Sequence, residues 1–153
     1  MKALVTGATS GIGKVIADYY AGWDYEVISV SRTAPKFKFN LGDQADIAQL
    51  IIALNKAKLG KIDVLVNNAG ALFLEEGTHN VNHLYNLLLF TPYILMSNLA
   101  PKLVDGHIVN IASVSGIIGE PDIPMYSALK AGVINLTKSF AKRFAPNIRV
   151  NCI

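Results

Sequence analysis

The sequence predicts an α/β fold built as a doubly wound parallel sheet with helices on both faces. Short, fully apolar runs alternate with longer stretches whose apolar residues recur at helical spacing. Strands that are apolar throughout are typical of a parallel sheet covered on both sides. The 153 residues are 52% hydrophobic and 16% charged, which suits one folded core, so we expect a single domain over 1–153.

The N-terminal half predicts strand, helix, strand, edge strand and helix in that order. The composition of 2–6, with apolar residues at 3–5, predicts the first strand, and the glycine turn after it opens a helix over 11–21. The run 25–30 predicts a second strand, and 36–39 alternates as an edge strand does. Only five residues separate these two strands, whereas a parallel crossover usually takes about a dozen. Either the edge strand is short and irregular, or the usual crossover helix has been deleted. Apolar residues at helical spacing predict a helix over 43–58.

The C-terminal half continues the alternation. It predicts, in order, a strand at 62–66, a helix over roughly 79–102, a strand at 106–112, a loop at 117–125 rich in Gly and Pro, a helix at 125–144 and a strand at 148–152. The helix at 79–102 is apolar almost all round, so it must be buried on more than one side. The helix at 125–144 has a similar excess of apolar residues. The apolar sides that do not pack on the sheet predict contacts between copies of the chain, in a homodimer or homotetramer.

Composition and charge exclude several function classes. The net charge of +3 is mild and no run of Lys or Arg exceeds two residues, so nucleic-acid binding is not indicated. A single cysteine, Cys152, excludes an internal disulfide and a CxxC zinc site and fits a reducing compartment. The three histidines, His79, His83 and His107, lack metal-ligand spacing and read as structural or surface residues. With neither a signal peptide nor a membrane span in the sequence, we expect a cytoplasmic protein with no metal and no membrane partner.

A glycine-rich turn lies between the first strand and the first helix. Its sequence is Thr6-Gly7-Ala8-Thr9-Ser10-Gly11-Ile12-Gly13. The glycines let the backbone approach a pyrophosphate, and the start of the helix offers free N–H groups and a positive dipole end. Alone the turn is a weak signal, because an ordinary tight βα turn has the same composition. At the start of a βαβ pattern it predicts dinucleotide binding.

The residue that follows the second strand bears on the choice of dinucleotide. An NAD site usually has an acid about twenty residues after the glycine turn, but no Asp or Glu occurs from Val27 through Asn40. Arg32 stands there instead. Because an arginine can hold a 2′-phosphate with two charge-assisted hydrogen bonds, NADP(H) is favoured and NAD(H) remains possible. The alternative is a solvated arginine at a strand end.

Tyr126 and Lys130 carry the most informative chemical signal. Four residues apart on a helix, they share one face, which places an ammonium beside a phenol. The positive charge favours the phenolate and so allows the tyrosine to act as a general acid or base near neutral pH. Ser113 lies thirteen residues upstream, after an apolar run. This trio indicates carbonyl or alcohol chemistry rather than acyl transfer.

Taken together, these residues resemble the short-chain dehydrogenase/reductase family. The three glycines of the turn, the segment Asn67-Asn68-Ala69-Gly70, Ser113, and Tyr126 with Lys130 match that family in order and spacing over essentially the whole chain. The resemblance implies a Rossmann-type sheet, a nicotinamide cofactor, and hydride transfer between it and a small-molecule carbonyl or alcohol.

The resemblance also implies roles for the catalytic residues. Tyr126 would protonate a carbonyl oxygen or deprotonate an alcohol, and Lys130 would hold the ribose hydroxyls and stabilise the tyrosinate. Ser113 would hydrogen-bond the substrate oxygen, although it could also merely cap the end of its strand. Asn86 would support a water in the proton relay.

Further residues would contact the cofactor. Asn68, Ala69 and Gly70 would line its adenosine and ribose region, and Asn67 would only shape the turn. Asn40, followed by Leu41, stands where the family usually has an Asp near the adenine.

The chain is expected to differ from family members at its C-terminal end. Family members run on beyond the position of Ile153, through segments that contact the nicotinamide and cover the substrate, so the chain is expected to be a fragment or to lack that part of the domain. Turnover would then be weak or absent, while dinucleotide binding could survive. A non-catalytic dinucleotide-binding or scaffold protein of the same fold is the alternative. The complete set of Asn86, Ser113, Tyr126 and Lys130 argues against it.

Overall fold

A six-stranded, all-parallel sheet forms the centre of the protein. The computed structural model describes residues 1–72 and 78–153, and the side chains of 78–80, including His79, lie outside the described part. The strands are β1 (Lys2–Thr6), β2 (Glu26–Ser31), β3 (Phe37–Lys38), β4 (Val64–Asn67), β5 (His107–Asn110) and β6 (Arg149–Cys152). Their order, β3-β2-β1-β4-β5-β6, is that of a doubly wound sheet, so the predicted fold class is confirmed.

Helices connect most of the strands. They are α1 (Gly11–Gly22), α2 (Gln44–Lys56), α3 (Thr78–Tyr85), α4 (Thr91–Leu99), α5 (Ser115–Ile118) and α6 (Pro124–Phe144). A π-helical turn at Asn86–Phe90 joins α3 to α4, and a 3-10 turn at Ala100–Lys102 follows α4. The predicted helix over 79–102 is therefore continuous but changes its winding in the middle. No helix within the described ranges is long and apolar enough to cross a bilayer.

Helix α5 lies partly where the sequence predicts a loop. It ends at Ile118 because Gly119 adopts a φ of 71°, a left-handed conformation that stops a helix. The rest of the segment up to Pro124 is irregular, as its Gly and Pro content predicts.

The link between β2 and β3 contains five residues and no helix. Parallel pairing is still achieved because β3 is only two residues long and pairs with the last two residues of β2, Val30 with Phe37 and Ser31 with Lys38. The five-residue link therefore has to return the chain only to the end of β2, not to its beginning. Both features that the sequence analysis gave as alternatives are therefore observed. The edge strand is short, and this link contains no crossover helix.

The strand side chains divide between two cores, one on each face of the sheet. On one face Leu4, Leu65 and Ile108, all 0% exposed, belong to the large core shared with α2, α4 and α6. On the other face Val5 and Val66 pack with α1. Full burial of each such side chain stabilises the fold by about 1.5–3 kcal/mol. The two cores hold the carboxyl ends of the strands at one edge of the sheet, where the loops after β1, β2, β4 and β5 meet.

Candidate functional site

A cleft of about 920 Å³ lies at the carboxyl edge of the sheet. Its volume is within the range of about 300–1,000 Å³ that small-molecule sites occupy. Most residues singled out in the sequence line it: Gly7, Thr9, Ser10, Gly11, Ile12, Gly13, Arg32, Asn40, Leu41, Asn68, Ala69, Gly70, Tyr126 and Lys130. Ser113 and Asn86 are not among the lining residues in the described part of the chain.

The glycine turn packs directly on the loop after β4. A Cβ on Gly13 would overlap the carbonyl oxygen of Gly7 and the side-chain nitrogen of Asn68, so only glycine fits there. Asn68 Nδ2 donates to the Thr6 carbonyl at 3.0 Å. The Thr6 hydroxyl accepts from the N–H groups of Asn68 and Ala69, each at 3.0 Å. These hydrogen bonds therefore hold the two loops together as the floor of the cleft.

Three hydroxyl groups cluster at the carboxyl end of β2. Thr9 Oγ1 lies 3.0 Å from Ser31 Oγ, and Thr33 Oγ1 donates to Thr9 Oγ1 at 2.9 Å. The Thr33 N–H donates to Ser31 Oγ at 3.2 Å. Arg32 is exposed between them, and no acid in the described ranges forms a salt bridge with its guanidinium. The cluster thus offers a cation and several hydrogen-bonding hydroxyls at one place. Ser31 and Thr33 were not predicted, although hydroxyl residues flanking Arg32 were a visible signal.

Lys130 holds a buried ammonium beside Tyr126. Lys130 is 5% exposed, and its Nζ donates to the Ile111 carbonyl at 2.7 Å. The same Nζ lies over the Tyr126 ring, 5.6 Å from the ring centroid. Burial lowers the pKa of Lys130 from 10.5 to about 8. Because a buried charge is unfavourable, this position disfavours the ammonium while the Ile111 carbonyl partly compensates it.

Ser113 forms a local turn after β5. Its Oγ accepts from the Ser115 N–H at 3.2 Å and donates to Ser115 Oγ at 3.2 Å. This is the strand-end capping that the sequence left open as an alternative. The side chain is partly exposed, and a hydroxyl rotates to suit a new partner.

Asn86 begins the π-helical turn. Its Nδ2 donates to the Gly42 carbonyl at 3.1 Å, which ties that turn to the loop before α2. The Asn86 amide therefore has a protein partner, which is a loop carbonyl beside the cleft.

The cleft also has lining residues that the sequence did not suggest. The His83 ring fills the space above Gly42, where a Cβ would overlap it. Phe39, Leu87 and Ile111 add apolar surface to the lining. Gly42 and His83 are too far apart in the chain for any local pattern to pair them. Asn67 also differs from its prediction, because its side chain reaches across to Asn110 on β5 rather than shaping the turn.

The described residues contain no group of three or more His, Cys, Asp or Glu side chains that could hold a metal.

Comparisons with known proteins point to one family. The short chain dehydrogenase family model matches residues 1–153. The 3-oxoacyl-[acyl-carrier-protein] reductase FabG of Thermotoga maritima is 34% identical over 98% of this chain and 71% of its own length. The uncharacterized oxidoreductase YxjF of Bacillus subtilis is 34% identical over 99% of this chain and 68% of its own. The alignment with FabG is 175 positions long, so that relative carries internal residues with no counterpart here.

Solved structures agree with the sequence relatives. A 4-hydroxyisoleucine dehydrogenase complexed with NADH and succinate superposes with a TM-score of 0.88 at 31% identity, covering 98% of this chain and 76% of that one. The ligand-free aldohexose dehydrogenase of Thermoplasma acidophilum superposes with a TM-score of 0.85 at 30% identity, covering 99% and 64%.

Proposed function

Because this chain belongs to the short chain dehydrogenase family, we propose that it transfers a hydride between NADP(H) and a carbonyl or secondary alcohol. Its relatives are named as oxidoreductases, and the family uses nicotinamide dinucleotides. The observation that supports the proposal most is the Lys130 ammonium over the Tyr126 ring, in a cleft whose floor is the glycine turn.

The floor of the cleft fits a dinucleotide. Because Gly13 has no Cβ, the start of α1 packs closely on Gly7, and the first N–H groups of a helix, which have no partner within it, can face a pyrophosphate. The N-cap Ser10 makes no side-chain bond to that helix, and the first turn of α1 carries no acid to repel a phosphate. Asn68, Ala69 and Gly70 would line the adenosine and ribose region, with Asn40 and Leu41 toward the adenine. When bound, the dinucleotide supplies or accepts the hydride.

The residues at the other end of the cleft would handle the proton. The Tyr126 hydroxyl would give its proton to a carbonyl oxygen or take one from an alcohol. The Lys130 ammonium would stabilise the tyrosinate and hydrogen-bond the ribose hydroxyls. The Ser113 hydroxyl would turn from Ser115 to hold the substrate oxygen. Asn86 would act through the π-helical turn that it anchors, and its part in a water relay stays a prediction.

The proposal is tested by measuring the oxidation of NADPH and NADH with a panel of aldehydes and ketones, together with the affinity for each dinucleotide. We expect tight NADPH binding and turnover with at least one carbonyl. Binding of either dinucleotide without turnover on any carbonyl would favour the non-catalytic alternative. Failure to bind either dinucleotide would rule out both readings.

The preference for NADP(H) makes a separate prediction at Arg32. Replacing Arg32 by Gln should weaken NADPH binding by about tenfold or more, because a charge-assisted hydrogen bond contributes about 1.5–3 kcal/mol. NADH lacks the 2′-phosphate, so its affinity should change little. Isothermal titration calorimetry measures both.

Arg149→Gln is the matched control, since Arg149 is an exposed arginine at the amino end of β6. It should leave both affinities unchanged. Equal loss of NADPH and NADH binding in Arg32→Gln, or tighter binding of NADH by the unaltered protein, would contradict the preference.

We also propose that the protein forms a homo-oligomer through α4 and α6. Tyr93 on α4 is 42% exposed, and Leu136 and Phe144 on α6 are only partly buried. Sedimentation at micromolar concentration should therefore show a species heavier than the 16.5 kDa chain. A clean monomer would contradict this assembly.

A further inference from the structure

A chain of buried polar side chains runs from β4 through β5 to α6. Asn67 Nδ2 donates to Asn110 Oδ1 at 2.8 Å, and Asn110 Nδ2 donates to Thr137 Oγ1 at 2.9 Å. The Thr137 hydroxyl in turn donates to the Val133 carbonyl at 2.7 Å. The exposed fractions of Asn67, Asn110 and Thr137 are 5%, 0% and 4%. All three links are therefore removed from water.

A contribution to stability does not by itself explain this buried hydrogen-bond network. Replacing both partners of a buried hydrogen bond by apolar groups of the same shape is often neutral or stabilising. Asn67 Oδ1 is moreover buried without a hydrogen-bond partner among the residues that the structure describes. Hydrogen bonds are directional, so they fix the relative position of two elements better than apolar contacts do. The network therefore favours a role in alignment.

The elements that the network aligns carry the proton-transfer end of the cleft. Thr137 lies seven residues after Lys130, two helical turns away on the same face of α6. Asn110 immediately precedes Ile111, whose carbonyl accepts from Lys130 Nζ at 2.7 Å. Helix α6 is thus attached to the carboxyl end of β5 at two points. Asn67 pairs with Asn110 in the sheet register and extends the attachment to β4.

We propose that Asn110 and Thr137 are positioning residues that fix α6 against the end of β5 and so set where Lys130 and Tyr126 lie in the cleft. Neither residue lines the cleft, so they act only through Lys130 and Tyr126. The inference rests on the proposed function, because a bound dinucleotide is the probe of where the ammonium lies. A misplacement of 1 Å in such a site can reduce activity by about a hundredfold.

The first test changes the hydroxyl of Thr137 and measures the dissociation constant of NADPH by calorimetry together with the thermal midpoint. Thr137→Val keeps the volume and removes the link to Asn110, and it should weaken NADPH binding by about tenfold through the displaced ammonium. Thr137→Ser keeps the hydroxyl and should restore the affinity. Val133→Ala removes buried apolar volume one turn away, and it should lower the thermal midpoint without weakening NADPH binding.

The second test asks whether the effect passes through Lys130. In a Lys130→Met background, Thr137→Val should cause no further loss of NADPH affinity, because the group that it displaces is already gone. An additive loss in that background would overturn the inference, as would unchanged affinity in Thr137→Val or equal weakening by Val133→Ala. If the unaltered protein binds neither dinucleotide, the proposed function fails and this inference fails with it.

Discussion

Replacing Tyr126 by Phe is expected to abolish carbonyl reduction while dinucleotide binding survives. The change removes one oxygen, the proposed proton donor, and keeps the ring over which Lys130 Nζ lies. A positioned general acid or base contributes about 10²–10⁴-fold to rate, so kcat should fall by at least about a hundredfold. Steady-state oxidation of NADPH with an active carbonyl measures kcat, and calorimetry measures the dissociation constant, which should stay close to that of the unaltered protein.

The matched control for this prediction is Tyr19→Phe. Tyr19 is a 63% exposed tyrosine on α1, so the same atom is removed away from the cleft. It should leave kcat unchanged. A Tyr126→Phe protein that turned over as fast as the unaltered one would show that another group moves the proton. A Tyr126→Phe protein that no longer bound NADPH would instead assign the residue to binding.

The strands and the glycine turn were predictable because their signals are local. The run Lys2–Thr6 is observed as β1 with the predicted bounds, since its apolar centre, Ala3-Leu4-Val5, closely precedes a glycine turn. The five-residue link after β2 was also visible in the sequence. That β3 would pair with only Val30 and Ser31 was not, because register depends on where the folded chain can turn back.

Features that depend on distant residues could not be predicted. The π-helical turn adds one residue to a helical turn, so the side chains after it rotate by roughly 100° relative to a uniform helix. Gly42 lies 44 residues from Asn86, so local spacing could not show that Asn86 would donate to its carbonyl. Asn110 likewise looked like a polar residue within a strand run. Its partners, Asn67 and Thr137, are 43 and 27 residues away, and only the packing of α6 on β5 brings the three together.

The largest effect on stability is expected when Lys130 is replaced by Met. This change should stabilise the fold while it weakens cofactor binding. Lys130→Met should make the fold more stable at pH 7, because methionine fills the same space without a buried charge. Lowering the pKa from 10.5 to about 8 corresponds to a penalty of at most about 3.4 kcal/mol. The lost bond to the Ile111 carbonyl offsets about 1 kcal/mol of the gain. Denaturant unfolding at pH 7 should therefore show an increase of about 1–3 kcal/mol in the free energy of unfolding.

The pH dependence of this difference identifies its cause. In the folded protein the Lys130 ammonium loses its proton near pH 8, whereas in the unfolded chain it does so near 10.5. Between these values the unfolded state binds more protons, so the stability of the unaltered protein rises with pH. The advantage of Lys130→Met should therefore be fully present below pH 8 and should shrink toward pH 10.5. Lys138→Met, an exposed lysine on the same helix, should show neither the gain nor its pH dependence.

The same substitution should weaken NADPH binding by about tenfold or more, because the charged hydrogen bonds to the ribose hydroxyls are lost. A variant that is more stable but binds NADPH poorly would mean that the fold tolerates a buried ammonium for the sake of the site. A Lys130→Met protein could instead be less stable than the unaltered protein at pH 7, or as stable as it at every pH. Either result would show that burial of the ammonium does not destabilise the fold. Unchanged NADPH affinity would remove Lys130 from the proposed cofactor contacts.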